Sequence, residues 1–420
     1  MAGAKRFRTL TGRGRALLAC GVVLVLAGVL LGFPDLTRIG VLLMALPLVA
    51  RLIARRRPPQ LSVERHVVPT RLQPDERADV AVDFVNLGSR STTLYTAEEQ
   101  VDFVLGDRPR FLLPRLEPGA RRRLTYAIRS QVRGRHRLGP IALQQQDPFG
   151  LTHVDLMVRS ESEVVVLPRV VPLGAGQPAG SGMGIEGETP QMVALHGEDD
   201  VSIRAYRDGD DLRKVHWPAT AHRGELMVRQ EDRPARRSAV LLLDSRESGH
   251  SPGSYSGTFE WAVSAVASVA THLGRFGYTL HLATRETLAA GELDTDLDPA
   301  SVLEQLAVAE RGSDEEHERL VQAAQDLTER TGGLVAVVTS VDDLSMPTLA
   351  ALRRPGTGAQ AMVIDPDAFQ QGAAEVGEVT LGHQALLHRA GWRAVPVGGQ
   401  TSIPEAWQLL TASGRPGVLT

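Results

Sequence analysis

Two apolar runs open the chain. Ala16 to Phe33 carries no charged residue, which is about the minimum length for a helix that crosses a bilayer. Pro34 and Asp35 interrupt it, and a second run follows from Ile39 to Ala54, with Pro47 inside and Arg51 near the end. A spanning helix tolerates a proline, and an arginine close to its end extends to the interface. The pattern predicts a transmembrane α-hairpin within residues 1–57, with spans at about 16–33 and 39–54. The period then changes. Between Leu61 and about Leu167 it is two: Val80, Val82 and Phe84 alternate with Ala81, Asp83 and Val85, and Leu124, Tyr126 and Ile128 with Arg123, Thr125 and Ala127. Turn signals recur at Asn86-Leu87-Gly88, Pro118-Gly119, Gly139-Pro140 and Asp147-Pro148. Short strands at this spacing predict a β-sandwich over 58–170.

Charge orients the first element. Lys5, Arg6, Arg8, Arg13 and Arg15 precede the first run, and Arg51, Arg55, Arg56 and Arg57 end the second. The turn carries only Arg38, balanced by Asp35. Basic flanks stay on the cytoplasmic side, so the expectation is a multi-pass protein of a bacterial inner membrane, with both termini and the soluble domains cytoplasmic. A cleaved leader is the alternative. It is disfavoured because a second apolar run follows and no small-residue cleavage site does. The arginines from Arg121 to Arg137 read either as a patch facing anionic headgroups or as solvated strand faces that protect an edge.

Residues 171–197, rich in glycine and proline, read as a linker. They include Gly182-Met183-Gly184-Ile185-Glu186-Gly187. This is not read as a dinucleotide site, because no strand feeds the glycines and no helix follows to receive a pyrophosphate.

Residues 198–236 hold the densest charge pattern. Arg204-Ala205-Tyr206-Arg207-Asp208-Gly209-Asp210-Asp211-Leu212-Arg213-Lys214-Val215-His216-Trp217 is followed by Ala221-His222. Asp208, Asp210, Asp211 and His216 are ligand types for a divalent ion. The other reading is a tight turn whose carboxylates accept hydrogen bonds from backbone and arginines, with Trp217 packing the segment down. Arg204, Arg207 and Arg213 would compete with a metal for the same oxygens, which favours the turn.

These residues closely resemble the signature of the bacterial family called domain of unknown function fifty-eight. Arg133-Gly134, Leu138-Gly139-Pro140, Asp147-Pro148-Phe149-Gly150-Leu151 and the paired apolar N-terminus also resemble it. The family often carries an arginine after the alanine, where His222 stands here. The resemblance implies Arg204, Tyr206, Gly209, Asp210, Asp211, Arg213, His216 and Trp217 as structural or interaction residues. It also implies association with a MoxR-type AAA+ ATPase and a von Willebrand factor A-like segment.

The pattern of residues 237–420 predicts an α/β (Rossmann-like) domain independently. Ala239–Leu243, Thr279–Ala283, Leu334–Val338, Ala361–Ile364 and Arg393–Val397 read as strands. Phe259, Val263, Val266, Ala270, Leu273 and Phe276 have helical spacing, and Ser313 with Glu316 forms a capping box. Alternating strands and helices argue for a parallel sheet covered on both faces. In A-type domains an Asp-x-Ser-x-Ser motif at the sheet's carboxyl edge holds Mg. Here Asp244-Ser245-Arg246-Glu247-Ser248 puts an arginine at the first serine position, and a cation opposes a metal. Asp244, Ser248 and Asp342 are therefore candidates for a degenerate site, with no metal and no cofactor expected.

A net charge of −3 over 420 residues excludes the basic excess of a nucleic-acid binder. The single cysteine, Cys20, excludes a disulfide within the chain and a multi-cysteine metal site. No Ser-His-Asp order, phosphate loop or zinc pattern stands out. The expectation is a membrane-anchored, non-catalytic interaction or scaffold protein, with the lipid bilayer and a MoxR-type AAA+ ATPase as partners in envelope-related assembly. The alternative is a metal-dependent hydrolase using Asp208, Asp210, Asp211 and His216.

Overall fold

The computed structural model describes residues 5–53, 60–146, 149–174, 201–206, 215, 217–231, 238–250, 257–341, 345–354 and 357–412. The chain divides into two units, Met1–Pro168 and Arg169–Thr420.

In the first unit, β1 (Lys5–Leu10) leads directly into α1 (Gly12–Leu31), and α2 (Pro34–Ile53) follows. Thr11 caps α1, its Oγ1 accepting from the Gly14 N–H. Gly32 ends the helix in the left-handed region at φ 69°, where glycine carries no Cβ penalty. Pro34 begins α2 instead of lying in a loop, since the first helical position needs no N–H. Among the residues of α1 only Gly14, Gly21 and Gly28 are buried. The helices meet through Gly21 and Gly28, whereas Gly14 is covered by Leu151. A Cβ on Gly21 would lie 2.6 Å from Met44 Cγ and 2.8 Å from the Gly40 carbonyl oxygen, and one on Gly28 would lie 2.4 Å from Thr37 Oγ1. Small residues that let backbones approach are the packing device of helices in lipid.

The rest of this unit is sheet: β2 (Leu61–Val68), β3 (Arg71–Leu72), β4 (Arg77–Asn86), β5 (Tyr95–Val101), β6 (Arg110–Leu113), β7 (Arg121–Arg129), β8 (Gly134–Gln146), β9 (Thr152–Val158) and β10 (Ser162–Val166). Among the described residues, β2-β4-β7 form one sheet. The other runs β1-β9-β8-β10-β3, with β5 between β6 and β8. Val80, Val82 and Phe84 of the first sheet and Ala97, Leu143 and Leu156 of the second share one core, which accounts for the period-two pattern. Lys5–Leu10, read from sequence only as a basic flank, is an edge strand paired antiparallel with β9, Leu10 opposite Thr152.

The second unit begins with apolar residues. Val170, Val171 and Leu173, within or beside the expected linker, pack onto its core, and the Val171 N–H donates to Ser268 Oγ at 2.9 Å. β11 (Val201–Ala205) and β12 (Met227–Glu231) form an antiparallel ribbon, with α3 (Trp217–Arg223) between them in sequence. There follow β13 (Ser238–Leu243), α4 (Thr258–Arg275), β14 (Thr279–Ala283), α5 (Arg285–Ala290), α6 (Pro299–Ala307), α7 (Asp314–Thr328), β15 (Gly333–Thr339), α8 (Ser345–Ala351), β16 (Gly358–Ile364), α9 (Pro366–Gln371), α10 (Glu378–Arg389), β17 (Arg393–Val397) and α11 (Ile403–Thr411). The parallel sheet is ordered β14-β13-β15-β16-β17. Successive residues of β13 enter opposite cores. Leu241 and Leu243 pack with α4, α6 and α11, while Val240 and Leu242 pack with α7, α8 and α10. Burying each such leucine contributes roughly 1.5–3 kcal/mol, so an unbroken apolar run is what a strand covered on both faces requires. The expected capping box is present, with Ser313 and Glu316 bonded reciprocally at the start of α7.

Candidate functional site at the carboxyl edge of the parallel sheet

The chain leaves β13 for β14 on one side of it and returns to β15 on the other, so the strand order reverses between β13 and β15. In open α/β sheets the crevice beyond the strand ends at such a reversal is where ligands bind. Here Asp244 follows β13, Ser340 follows β15 and Asp365 follows β16.

Asp244 and Arg246 are both buried, at 0% and 1% exposure. Arg246 Nε donates to Asp244 Oδ1 at 3.1 Å and its Nη2 to Oδ2 at 2.8 Å. Nη1 reaches Ser345 Oγ at 2.9 Å, and Nη2 also reaches the Thr339 carbonyl oxygen at 3.2 Å. Thr339 donates to Asp244 Oδ2 twice, from its N–H at 3.0 Å and its hydroxyl at 2.8 Å. Burial pushes the Asp244 carboxyl upward, but His317, 3.5 Å from Oδ1, and the Arg246 guanidinium outweigh it and hold the group well below the usual carboxylate range. The carboxylate is thus neutralised inside the chain, with charge-assisted hydrogen bonds on both oxygens.

The wall around this pair is tight. A Cβ on Gly249 would lie 2.1 Å from Thr339 Oγ1, so the turn at 247–249 passes where only glycine fits. His250 bonds the Asp244 carbonyl oxygen at 2.9 Å through Nε2 and Thr258 Oγ1 at 3.0 Å through Nδ1. A carbonyl only accepts, which assigns the proton to Nε2. Burial lowers the His250 pKa more than Asp244 raises it, so Nδ1 accepts from the threonine hydroxyl. Ser248 is not at the carboxylate. It is exposed and donates to Asp314 Oδ1 at 2.7 Å.

Beside this sealed pair lies a cleft of about 600 Å³, between the ends of β15 and β16 and the start of α10. At its floor Asp365 accepts from the Gly377 N–H at 2.7 Å and Thr380 Oγ1 at 2.9 Å, and Ser340 and Thr380 share a hydrogen bond of 2.6 Å. Burial raises the Asp365 pKa, but the N–H groups of Ala368 and Gly377 and the Thr380 hydroxyl lower it further, leaving it depressed. Asp367, Glu375 and Glu378 also line the cleft. Among the described residues no three His, Cys, Asp or Glu side chains cluster as a metal site.

Of the signature residues, Arg204 lies on β11 opposite Val228, and Tyr206 donates its N–H to the Leu226 carbonyl oxygen at 2.8 Å. Trp217, expected to pack the segment down, opens α3 with 68% of its surface exposed. Asp208, Gly209, Asp210, Asp211, Arg213 and His216, with Asp342 and the glycine run at 182–187, lie outside the described residues. Sequence reasoning missed the partners that close the Asp244 site. His317, Thr339 and Ser345 carry no local signal, because they stand 73 to 101 positions downstream of Asp244.

Residues 202–370 match the family model described as Protein of unknown function DUF58. No curated protein matches the chain. Among solved structures, the chain is similar to the CARDB domain of a protein from Pyrococcus furiosus, in complex with di-metal ions, at 16% identity over 26% of this chain and 89% of that one, with a TM-score of 0.20. It is also similar to the Pseudomonas fluorescens alkylpurine DNA glycosylase AlkC bound to DNA, at 15% identity over 31% and 38% of the two chains, with a TM-score of 0.19. At such TM-scores neither likeness carries an argument about fold or activity.

Proposed function

We propose that this chain is a membrane-anchored, non-catalytic interaction protein whose von Willebrand factor A-like α/β unit docks a MoxR-type AAA+ ATPase in envelope-related assembly. The observation that carries the reading is the Asp244–Arg246 pair. The strand-end carboxylate that would take a metal or serve as a base is occupied by the chain's own guanidinium, while the acidic cleft beside it stays open. A surface that binds by shape and charge needs no activated group.

Anchoring has separate support. Among the described residues one helix, α1, is long and apolar enough to cross a membrane. α2 packs along it through Gly40 and exposes Ile39, Val41, Leu42 and Leu52, just as α1 exposes Val23, Leu26, Val29 and Leu30. Apolar surface of this extent calls for lipid around it. β1 precedes α1, yet it pairs with β9, which follows both helices. Strands of one sheet lie on one side of a bilayer, so a crossing by α1 has to be matched by a return through α2. The pairing also disfavours a leader that is cut away. The basic flanks support a reading in which both ends of the hairpin face the cytoplasm at the inner membrane of a bacterial cell.

Crosslinking in native membranes, followed by identification of the attached protein, tests the partner. Recovery of an AAA+ ATPase that is lost when Asp367, Glu375 and Glu378 are changed to lysine supports docking at the cleft. Repeated crosslinking without any such ATPase contradicts it.

A further inference from the structure

The membrane-entry end of α1 is bonded to the sheet-rich unit. The Thr11 N–H donates to the Leu151 carbonyl oxygen at 3.0 Å, and Thr11 Oγ1 donates to the Gly150 carbonyl oxygen at 2.7 Å. A Cβ on Gly14 would lie 2.3 Å from the Leu151 oxygen. Gly150 and Leu151, which lead into β9, therefore sit at the depth of the first turn of α1. That depth is constrained. α1 has 20 residues and is about 30 Å long at 1.5 Å per residue, which matches the hydrocarbon core with little to spare. If α1 spans, its first turn is at the interface, and so are Gly150 and Leu151 bonded to it.

Strand register shows what else shares this level. Gln146 at the end of β8 faces His153 of β9. Thr96 faces Gln144, which puts Leu94 level with Gln146. Leu61 faces Asn86, the Leu87 N–H donates to the Gln60 carbonyl oxygen, and Asn86 Nδ2 donates to the Arg90 and Leu116 carbonyl oxygens. This end thus collects Leu87, Leu94 and Phe149, exposed by 66%, 54% and 65%. Three exposed arginines stand at the same end: Arg13 in the first turn of α1, Arg90, whose carbonyl oxygen accepts from Asn86, and Arg122, opposite Phe84. Glu117, at the same end, is paired with Arg115 at 3.3 Å. Exposed apolar side chains with cations at the same level suit a bilayer surface, where side chains enter the boundary between headgroups and acyl chains and arginines meet anionic headgroups.

We infer that this end of the sheet-rich unit is a second, peripheral contact with an anionic bilayer, with Phe149, Leu87 and Leu94 inserted at the interface. The inference rests on the hairpin reading. It adds that the unit lies down on the membrane and does not hang from it on a tether.

The test uses the full chain in vesicles of phosphatidylcholine and phosphatidylglycerol. Cys20→Ser removes the only cysteine, and an environment-sensitive fluorophore is then attached at one of four new cysteines: Phe149→Cys, Leu94→Cys, Leu26→Cys in α1, or Phe103→Cys. Phe103 is 83% exposed and lies two residues past Val101, which faces Leu138, well along β8 from Gln146. Expected are blue-shifted emission, quenching by a shallow lipid-borne nitroxide and loss of iodide quenching at 149 and 94, with the reverse at 103. Position 26 should respond to a deep nitroxide. If 149 and 94 behave like 103 while 26 remains lipid-quenched, the surface contact is overturned and the hairpin stands. If 26 is also open to iodide, the hairpin falls and the surface contact with it. Two reporter positions keep the test valid should one substitution prevent folding.

Discussion

Arg246 folds back over Asp244, two residues before it, and lays its guanidinium along the carboxylate with Nη2 2.8 Å from Oδ2. Both side chains are sealed from water, so neither charge is tolerable alone. Breaking a buried pair from one side typically costs about 3–5 kcal/mol. Arg246→Ala and Asp244→Asn are each expected to lower the unfolding free energy of the α/β unit by about that much. The double variant should lose less than the sum of the two, because it strands no charge. Denaturant unfolding of the detergent-solubilised chain measures this, and single-variant losses below about 1 kcal/mol would show that the pair is not holding the strand end.

The same pair sets the expected response to metal. A ligand that binds only the folded state raises the melting temperature with concentration. With a guanidinium already on the carboxylate, Mg or Mn in the millimolar range is expected to leave the melting temperature of the α/β unit unchanged. A saturating rise, abolished in Asp244→Asn, would place a metal where Arg246 now stands.

The two units are expected to respond to pH in opposite senses. In the sheet-rich unit Glu99 is buried against Arg65, Nη2 to Oε1 2.6 Å, and burial pushes its pKa from 4.5 up to about 7 despite that partner. The folded state then binds this proton more tightly than the unfolded state. The contribution is present below 4.5 and is lost as pH rises through about 7. In the α/β unit burial depresses His250 below 6.5, so the unfolded state binds the proton more tightly. That contribution is present above 6.5 and is lost as pH falls below it. Amide exchange between pH 5 and pH 7 (a window of about two units) should show protection of β5 falling, and protection of β13 rising, with pH. Glu99→Gln should flatten the first trend and leave the second.

Helix packing in the hairpin gives a fourth expectation. Gly21→Ile puts a branched side chain where a Cβ alone already meets Met44 and the Gly40 backbone, whereas Val23→Ile changes a side chain that is 63% exposed. The first is expected to separate α1 from α2 and reduce the amount of chain recovered from membranes several-fold, and the second to have little effect. Equal recovery of the two variants would mean that the glycine faces do not hold the helices together.

The legible parts of this fold were those written locally. The strands of the α/β unit showed as unbroken apolar runs because each is buried on both faces, and the capping box at Ser313 and Glu316 was readable because its partners are three residues apart. Lys5–Leu10 was hidden by its charge. Its strand character comes from pairing with β9, nearly 150 residues on. The arginine at 246 was visible as an intruder in a metal-type motif, but its role was not, because Ser345 and Thr339 reach it only through the closed sheet. Ser248 matched the same motif and turned out to face Asp314, since the turn at 247–249 carries it away from the strand end. Trp217 looked like an anchor by residue type, and an aromatic ring alone does not specify a pocket.

The proposed docking and the proposed surface contact both depend on a hairpin that holds the chain at the inner face of the membrane. Protease added outside intact spheroplasts tests it most directly. The full-length chain is expected to survive there and to be cut only after lysis, because a hairpin of α1 and α2 would leave the short turn at Gly32 and Phe33 outside. Digestion of either soluble unit in intact spheroplasts would contradict it.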